Sequence, residues 1–224
     1  MALNTTNLTK FLKGITDAIR AKTGSTDPIE HWKIDEEINE IKTIRDNMDA
    51  ISEIINCRGA RTDFSYACSG ISRLINGNDY ANLKINTSNG QIFNYMFYSS
   101  NVISTPKLYT AAGTSFIGMF GYSSCETING ELTLKNLKIG GLYNMFVGCT
   151  NLKTVRFVKD SIDLMTLDMK YCKDLTTESI DSIINGLSQN TSVINLTLRL
   201  HSDVIDKLTD EQLLKIANKN WHLG

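Results

Sequence analysis

The residue types that most often carry chemistry are sparse in this chain of 224 residues. Its three histidines, His31, His201 and His222, show neither HxH nor HxxxH spacing, which would place two imidazoles on one metal ion. The strings GxSxG, HExxH, GxGxxG and GxxxxGK[ST], which mark nucleophilic, zinc and phosphate-binding sites, are absent from the sequence. The sequence therefore predicts no catalytic residue, no metal site and no cofactor.

Four aspartates follow one another late in the chain, at Asp160, Asp163, Asp168 and Asp174. A cation site there would need closely spaced oxygen ligands, and the DxDxDG pattern that supplies them is missing. Two distant carboxylates that cleave a glycan by acid–base chemistry stay open as an alternative, because sequence alone does not show which carboxylates meet.

Five cysteines, Cys57, Cys68, Cys125, Cys149 and Cys172, lie far apart and form no CxxC pair. An odd number of widely spaced cysteines is typical of reduced, mostly buried thiols. The last three recur at similar places in a repeated pattern, which predicts a stacked interior rather than three separate active sites.

Aromatic side chains between residues 95 and 146 are the richest binding candidates. Phe97, Phe120 and Phe146 are in register and are predicted to fill the core. The less regular tyrosines either line the edge of that core or form a platform on which sugar rings stack, and both interpretations stay open. With two outward basic residues, the candidate ligand-binding residues are Tyr98, Tyr109, Tyr122, Tyr143, Lys153 and Arg156.

These candidates lie within an internal repeat. Met96-Phe97, Met119-Phe120 and Met145-Phe146 open matching units, and Met169 opens a weaker fourth, so the spacings are 23, 26 and 24 residues. Leucine-rich repeats have periods of about 20–29 residues. The predicted fold class is α+β, with N-terminal helices (1–58), a short leucine-rich-repeat-type β-solenoid (59–175) and a helical C-terminal cap (176–224).

An apolar run in the N-terminal region has a mean spacing of 3.5 residues between positions 34 and 55, the period of a coiled coil. An ordinary core helix remains the alternative. If the run is a coiled coil, isoleucine at both seam positions favours three or four strands, so a homotrimer is the favoured oligomer. The candidate oligomer or docking residues are Ile34, Ile38, Ile41, Ile44, Met48, Ile51 and Ile55.

Composition excludes some partners. The formal net charge of −1 gives no overall basic field for nucleic acid, although residues 59–160 carry nine basic and five acidic side chains. The sequence has no run of about 18 apolar residues, so no membrane span is expected, and no signal-peptide pattern, so synthesis in the cytoplasm is expected.

The repeat units "MFYSSNVISTPKL", "MFGYSSCETINGEL" and "MFVGCTNLKTVRF" resemble the BspA-type leucine-rich repeats of bacterial and phage surface proteins. The stretch "ITDAIRAKTGSTDPIEHWKIDEEINEI" (15–41) resembles the N-terminal helical region of phage tail proteins, and residues 174–223 are similar to the module that closes the same proteins. The repeat linkers of the family are largely lost here, with "LYTAAGTSFIGM" (108–119) the closest remnant.

This resemblance implies a structural or adhesive component of a phage or phage-tail-like tail baseplate or tail fibre, not an enzyme. It implies a place in the virion or tail-like particle, contact with other tail proteins, and contact with a glycan or protein of the bacterial host surface. The alternatives are a bacterial surface adhesin or general protein-interaction module, and a tail-associated glycan-cleaving enzyme.

Overall fold

The computed structural model describes residues 51–52, 55–56, 61–71, 77–163, 166–191 and 196–224, which all fall within the unit Met48–Gly224. Most of the predicted N-terminal region, including the apolar positions before residue 51, lies outside the described residues. The predicted domain boundaries therefore stay predictions.

The predicted fold class, N-terminal helices followed by a leucine-rich-repeat-type β-solenoid and a helical C-terminal cap, is wrong. Among the described residues, the strands form a single three-stranded parallel sheet near the C-terminus, with the order β1-β2-β3. The repeats themselves are joined by isolated β-bridges, such as Ser104 with Thr127, and not by strands. The three strands are β1 Leu167–Met169, β2 Leu196–Leu200 and β3 Trp221–Leu223.

Side-chain hydroxyls interrupt the strand pairing that the repeats were expected to form. The backbone N–H of Tyr109 donates to Thr87 Oγ1 at 2.7 Å, and the N–H of Thr133 donates to Thr110 Oγ1 at 2.8 Å. In a continuous β-ladder a backbone carbonyl would accept each of these hydrogen bonds. Beside the bridge between Ser104 and Thr127, the N–H of Asn129 likewise donates to Thr105 Oγ1 at 2.9 Å, so a threonine hydroxyl takes the place of the carbonyl there too.

Left-handed backbone positions also shorten the extended segments. Tyr66, Tyr95, Gly118 and Asn144 have φ between 55° and 57° and occupy the same position in successive repeats. A residue in this conformation turns the chain and ends a strand. The repeats are therefore built from turns joined by single bridges.

Neighbouring repeats nevertheless pack closely. The backbone N–H groups of Phe93, Tyr95 and Phe97 each donate to a carbonyl of the following repeat at 2.8 Å. Two columns of fully buried phenylalanine rings run through the core, with centroid distances of 5.1–5.7 Å and interplanar angles below 10°. The burial predicted for the in-register phenylalanines is confirmed. The columns are Phe64, Phe93 and Phe116, and Phe97, Phe120 and Phe146.

Capping residues fix the start of two C-terminal helices. Helix α1 (Thr177–Gly186) is capped by Thr176, whose hydroxyl accepts the N–H of Ser179, and α3 (Asp210–Asn218) starts with a capping box between Thr209 and Gln212. Further helices among the described residues are α2 (Ser202–Ile205) and a 3₁₀ helix (Gly77–Asn82), and residues 51–52 and 55–56 are also helical. In the part of the chain that the structure describes, no helix is both long and apolar enough to cross a membrane.

Candidate ligand-binding surfaces

Four tyrosine rings from three successive repeats form one contiguous aromatic surface, here called the tyrosine row (Tyr66, Tyr95, Tyr98 and Tyr122). Tyr66 stacks on Tyr95 with ring centroids 5.1 Å apart. Tyr98 then meets Tyr95 and Tyr122 edge-on, at 5.4 Å and 5.7 Å. Both ends of the row, Tyr66 and Tyr122, are 59% exposed, so the row presents aromatic surface to solvent.

Glycines of the following repeat set the position of three of these rings. A Cβ atom added to Gly118 would lie 2.6 Å from Tyr95 Cε1, and one added to Gly148 would lie 2.6 Å from Tyr122 Cδ1. A Cβ atom at Gly121 would lie 2.9 Å from Tyr98 Cδ2. Each ring therefore lies across a glycine, and the absence of a side chain there lets the ring approach the backbone.

The backbone of the row is strained. Tyr66, Tyr95 and Tyr122 have φ of 56°, 56° and 54°, a conformation that costs an ordinary L-residue about 1–2 kcal/mol. At the positions equivalent to Tyr95 and Tyr122, other repeats carry Asn144 and Gly148, which adopt it more easily. Backbone preference alone therefore does not explain tyrosine at these positions, and the explanation must lie in what the rings contact.

A second surface is the Tyr109 groove, an open depression of about 490 Å³. Tyr109 is 47% exposed, and Lys107 Nζ lies 5.2 Å from the centroid of its ring. Lys107 and Tyr109 also line a second, adjoining depression of about 580 Å³. The residues of the groove that bear polar or aromatic groups are Lys107, Tyr109, Thr110, Glu131, Thr133 and Arg156.

The backbone beneath the groove is held by hydrogen bonds between repeats. Thr87 Oγ1 accepts the N–H of Tyr109 at 2.7 Å and donates to the Tyr109 carbonyl at 3.0 Å. The Arg156 carbonyl accepts the N–H of Leu132 at 2.8 Å. Among the described residues, neither Lys107 nor Arg156 forms a salt bridge, although both side chains are exposed.

The structure brings some predicted binding residues together and separates others. Tyr98 and Tyr122 share the tyrosine row, while Tyr109 and Arg156 share the groove. Lys153 instead pairs with Glu126 of the preceding repeat at 2.8 Å, and this hydrogen bond raises the pKa of Lys153. The remaining candidate, Tyr143, is 66% exposed and contacts no other described ring at stacking distance.

Several residues of these surfaces were not among the predicted ligand-binding residues. In the tyrosine row they are Tyr66 and Tyr95, although Tyr95 lies at the start of the aromatic cluster found in the sequence. In the groove they are Lys107, Thr110, Glu131 and Thr133. The shared strings Phe-Ser-Tyr (64–66) and Phe-Asn-Tyr (93–95) carried a signal, since both place tyrosine two residues after a core phenylalanine. No comparable local pattern marks Lys107, whose place beside the ring of Tyr109 appears only in the tertiary structure.

Two of the predicted oligomer or docking residues can be placed. Ile51 and Ile55 are each 4% exposed and belong to the hydrophobic core of the described unit. Ile34, Ile38, Ile41, Ile44 and Met48 lie outside the described residues. A seam between chains would therefore have to draw mainly on those five positions.

Two of the four aspartates considered as a cation site, Asp160 and Asp168, have basic neighbours instead. Lys219 Nζ donates to Asp160 Oδ1 at 2.9 Å, and Arg199 Nη1 lies 3.4 Å from Asp168 Oδ2. Across the described ranges, no group of three His, Cys, Asp or Glu side chains could hold a metal ion. Cys68, Cys125, Cys149 and Cys172 are buried free thiols, and burial raises the pKa of Cys149 to about 12.

Comparison with known proteins found no matching family model, no matching curated protein and no matching solved structure.

Proposed function

We propose that this chain is a structural and adhesive component of a phage or phage-tail-like tail, located in the baseplate or a fibre, and that it contacts the surface of the bacterial host. The tyrosine row is the observation that carries this proposal. Tail context comes from the sequence resemblance of the repeats and of both flanking stretches. Surface contact is supported by a contiguous set of partly exposed aromatic rings, since such patches on proteins commonly mark binding sites.

The row has the chemistry of a sugar-binding platform. Aromatic rings offer flat apolar surface to the C–H faces of a sugar ring, and the tyrosine hydroxyl can exchange hydrogen bonds with the sugar hydroxyls. Tyr66 and Tyr122, the two most exposed members, stand at the ends of the row and offer the largest free area. A glycan of several units could contact both ends.

Rigidity of the row favours binding. Tyr95, Tyr98 and Tyr122 are each held against a glycine of the next repeat, and the backbone of Tyr95 donates a hydrogen bond to Ile117 at 2.8 Å. Side chains that are already ordered lose less conformational entropy when a ligand binds. Packing of the rings, and contact with a bound ligand, would then offset the cost of the left-handed backbone in the row.

Individual contacts of this kind are weak, so tight attachment to a cell would require several copies of the chain to bind at the same time. Several copies in one tail would raise the effective affinity by about 10²–10⁴ through multivalency. The isoleucine run near the N-terminus is the proposed basis of such an oligomer, with a homotrimer as the favoured form.

The proposal is tested by measuring binding of the labelled full chain to intact cells of a panel of bacterial strains by flow cytometry. In the variant Tyr122→Asn the ring is removed, while asparagine tolerates the left-handed backbone as Asn144 does. The matched control is Tyr171→Asn, because Tyr171 is 39% exposed and is not part of the row.

Binding to at least one strain, with a loss of about fivefold or more in Tyr122→Asn and no loss in Tyr171→Asn, is expected. Gold-labelled antibodies against the chain should decorate tail tips in particles from the source culture. Absence of cell binding in the wild-type chain, or equal binding by both variants and wild type, would overturn the proposal.

A further inference from the structure

We infer that the Tyr109 groove binds a negatively charged unit of a surface glycan, with Lys107 and Arg156 holding the anion and Tyr109 contacting the sugar ring. This assignment rests on the proposed function for its biological setting, but its chemistry is separate from that of the tyrosine row. It names the class of ligand that the groove accepts.

The charges of the groove are the first argument. Lys107 and Arg156 contribute two positive charges and Glu131 one negative charge, so the lining is net positive in a chain whose formal net charge is −1. Elsewhere on the repeats Lys153 is neutralised by Glu126 at 2.8 Å. The two groove cations have no such partner among the described carboxylates. They are available to an anionic ligand.

The side chains of the groove are placed for recognition. Lys107 Nζ lies 5.2 Å from the ring centroid of Tyr109, a cation–π contact that keeps the ammonium group beside the ring. Arg156 extends from a backbone fixed by the hydrogen bond from Leu132, and its guanidinium can bind a carboxylate or phosphate with two parallel hydrogen bonds.

The shape and remaining lining fit a sugar rather than a bare ion. A volume of about 490 Å³ lies within the range of about 300–1,000 Å³ that is usual for small-ligand sites. The ring of Tyr109 and the half-exposed side chain of Val158 offer apolar surface, and Thr133 adds a hydroxyl. One ligand with an apolar face and a negative charge would use all of these groups.

Glu131 restricts the ligand further. Its carboxylate lines the same groove and would repel a second negative charge placed beside the first. The groove therefore suits a ligand unit with a single negative charge, from either a uronic acid or a phosphate. The formal net charge of −1 gives the chain no overall basic field for a nucleic acid.

The experiment measures the affinity of the full chain by isothermal titration calorimetry for three probes: a galacturonic acid trimer, a short glycerol phosphate polymer and a neutral galactose trimer. The groove variants are Lys107→Gln and Arg156→Gln. Lys138→Gln is the matched control, because Lys138 is exposed, forms no described salt bridge and lies outside the groove. Unfolding in urea checks that all variants fold.

At low salt, at least one acidic probe should bind about fivefold or more tightly than the neutral trimer. Either groove variant should abolish this preference for the acidic probe, whereas Lys138→Gln should keep it. Raising the salt concentration to 1 M should weaken the preference in the wild-type chain. Preference for the galacturonate probe would identify a carboxylate ligand, and preference for the glycerol phosphate probe a phosphate ligand; equal tightening by both would identify a general anion site. Equal binding of all three probes, absence of measurable binding, or an unchanged preference in either groove variant would overturn the inference.

Cell binding separates this inference from the proposed function. If Tyr122→Asn loses cell binding while Arg156→Gln keeps both cell binding and probe preference, the groove assignment is wrong and the proposed function stands. If wild-type chain binds no cells but prefers an acidic probe through Arg156, the groove assignment stands and the proposed function is wrong.

Discussion

Replacing Gly118 by alanine tests the packing that holds the tyrosine row in place. Gly118 has φ of +57°, and an added Cβ atom would lie 2.6 Å and 2.7 Å from two atoms of the Tyr95 ring. The substitution therefore combines two costs, a left-handed backbone for alanine and an overlap with an aromatic ring. We expect Gly118→Ala to be strongly destabilising.

The magnitude follows from adding the two contributions. Left-handed backbone costs an alanine about 1–2 kcal/mol, and overpacking of this kind costs about 1–3 kcal/mol. The lower entropy of the unfolded alanine chain returns about 0.4–1 kcal/mol. The free energy of unfolding should therefore fall by about 1–5 kcal/mol, with about 3 kcal/mol as the central value, which shifts the urea midpoint by about 1.5 M for an m value near 2 kcal/mol/M.

Three other glycines separate the contributions. Gly140 has φ of +81° with open space around its Cβ position, so alanine there should lower the free energy of unfolding only through its left-handed backbone. Gly121 has no left-handed φ, but its Cβ atom would lie 2.9 Å from the Tyr98 ring, so alanine there should lower it only through the close contact. Gly70 has neither feature, and alanine should change stability by less than about 1 kcal/mol.

Urea unfolding of the four alanine variants, followed by circular dichroism, measures these differences. A double-mutant cycle with Tyr95→Ala should recover about 1 kcal/mol or more in the Gly118→Ala background, because the overlap disappears with the ring. If Gly118→Ala costs no more than Gly140→Ala, or if the cycle shows no coupling, the Tyr95 ring does not lie across residue 118 and the description of the row is wrong.

Two further predictions concern acid stability and thiol reactivity. The hydrogen bond from Lys219 at 2.9 Å lowers the pKa of Asp160, so the stability that this pair adds is complete above the unfolded pKa near 3.9 and is lost as the pH falls through the folded value. Because both side chains are partly exposed, Asp160→Asn should cost less than about 1 kcal/mol at pH 6, and the difference from wild type should vanish near pH 2 in urea unfolding. In a Cys57→Ser background the remaining thiols should react with Ellman's reagent at pH 8 at least about tenfold more slowly in the native chain than in urea, since burial excludes the reagent and raises the pKa of Cys149 to about 12.

Each of these has its own control. For acid stability, Asp206→Asn is the comparison, because Asp206 is exposed and takes part in none of the described ion pairs; equal pH curves for the two variants would contradict the role of Lys219. For the thiols, a fast native reaction of any one cysteine would show that the repeat core opens at that position.

Local sequence determined the features that depend on neighbours along the chain. Thr209 and Gln212 are three residues apart, so their capping box follows from the sequence alone, and the cap of α1 by Thr176 does so too. The regular spacing of phenylalanines predicted their burial, because a repeated apolar position has to face the same interior in each repeat.

The fold class was predicted wrongly because the deciding contacts are distant. The periodicity of the repeats suggested strands, but each hydroxyl that replaces a ladder carbonyl, such as Thr87 beneath Tyr109, comes from a residue more than 20 positions away. Sequence spacing does not reveal that a threonine side chain instead of a backbone carbonyl will accept a given N–H. Only the tertiary structure decided between strand and turn.

For the candidate binding surfaces, too, the sequence indicated the individual residues and the tertiary structure decided which of them lie together. The sequence alone offered Tyr98, Tyr109, Tyr122, Tyr143, Lys153 and Arg156 as ligand-binding candidates, because the tyrosines fall outside the regular core positions and the two basic residues were predicted to face outward. Which of them lie together was decided by the packing of one repeat on the next, which brings Tyr109 and Arg156, 47 positions apart in sequence, into one groove. The type of each side chain can be read from the sequence, whereas its spatial neighbours are determined only when segments distant in the chain pack against each other.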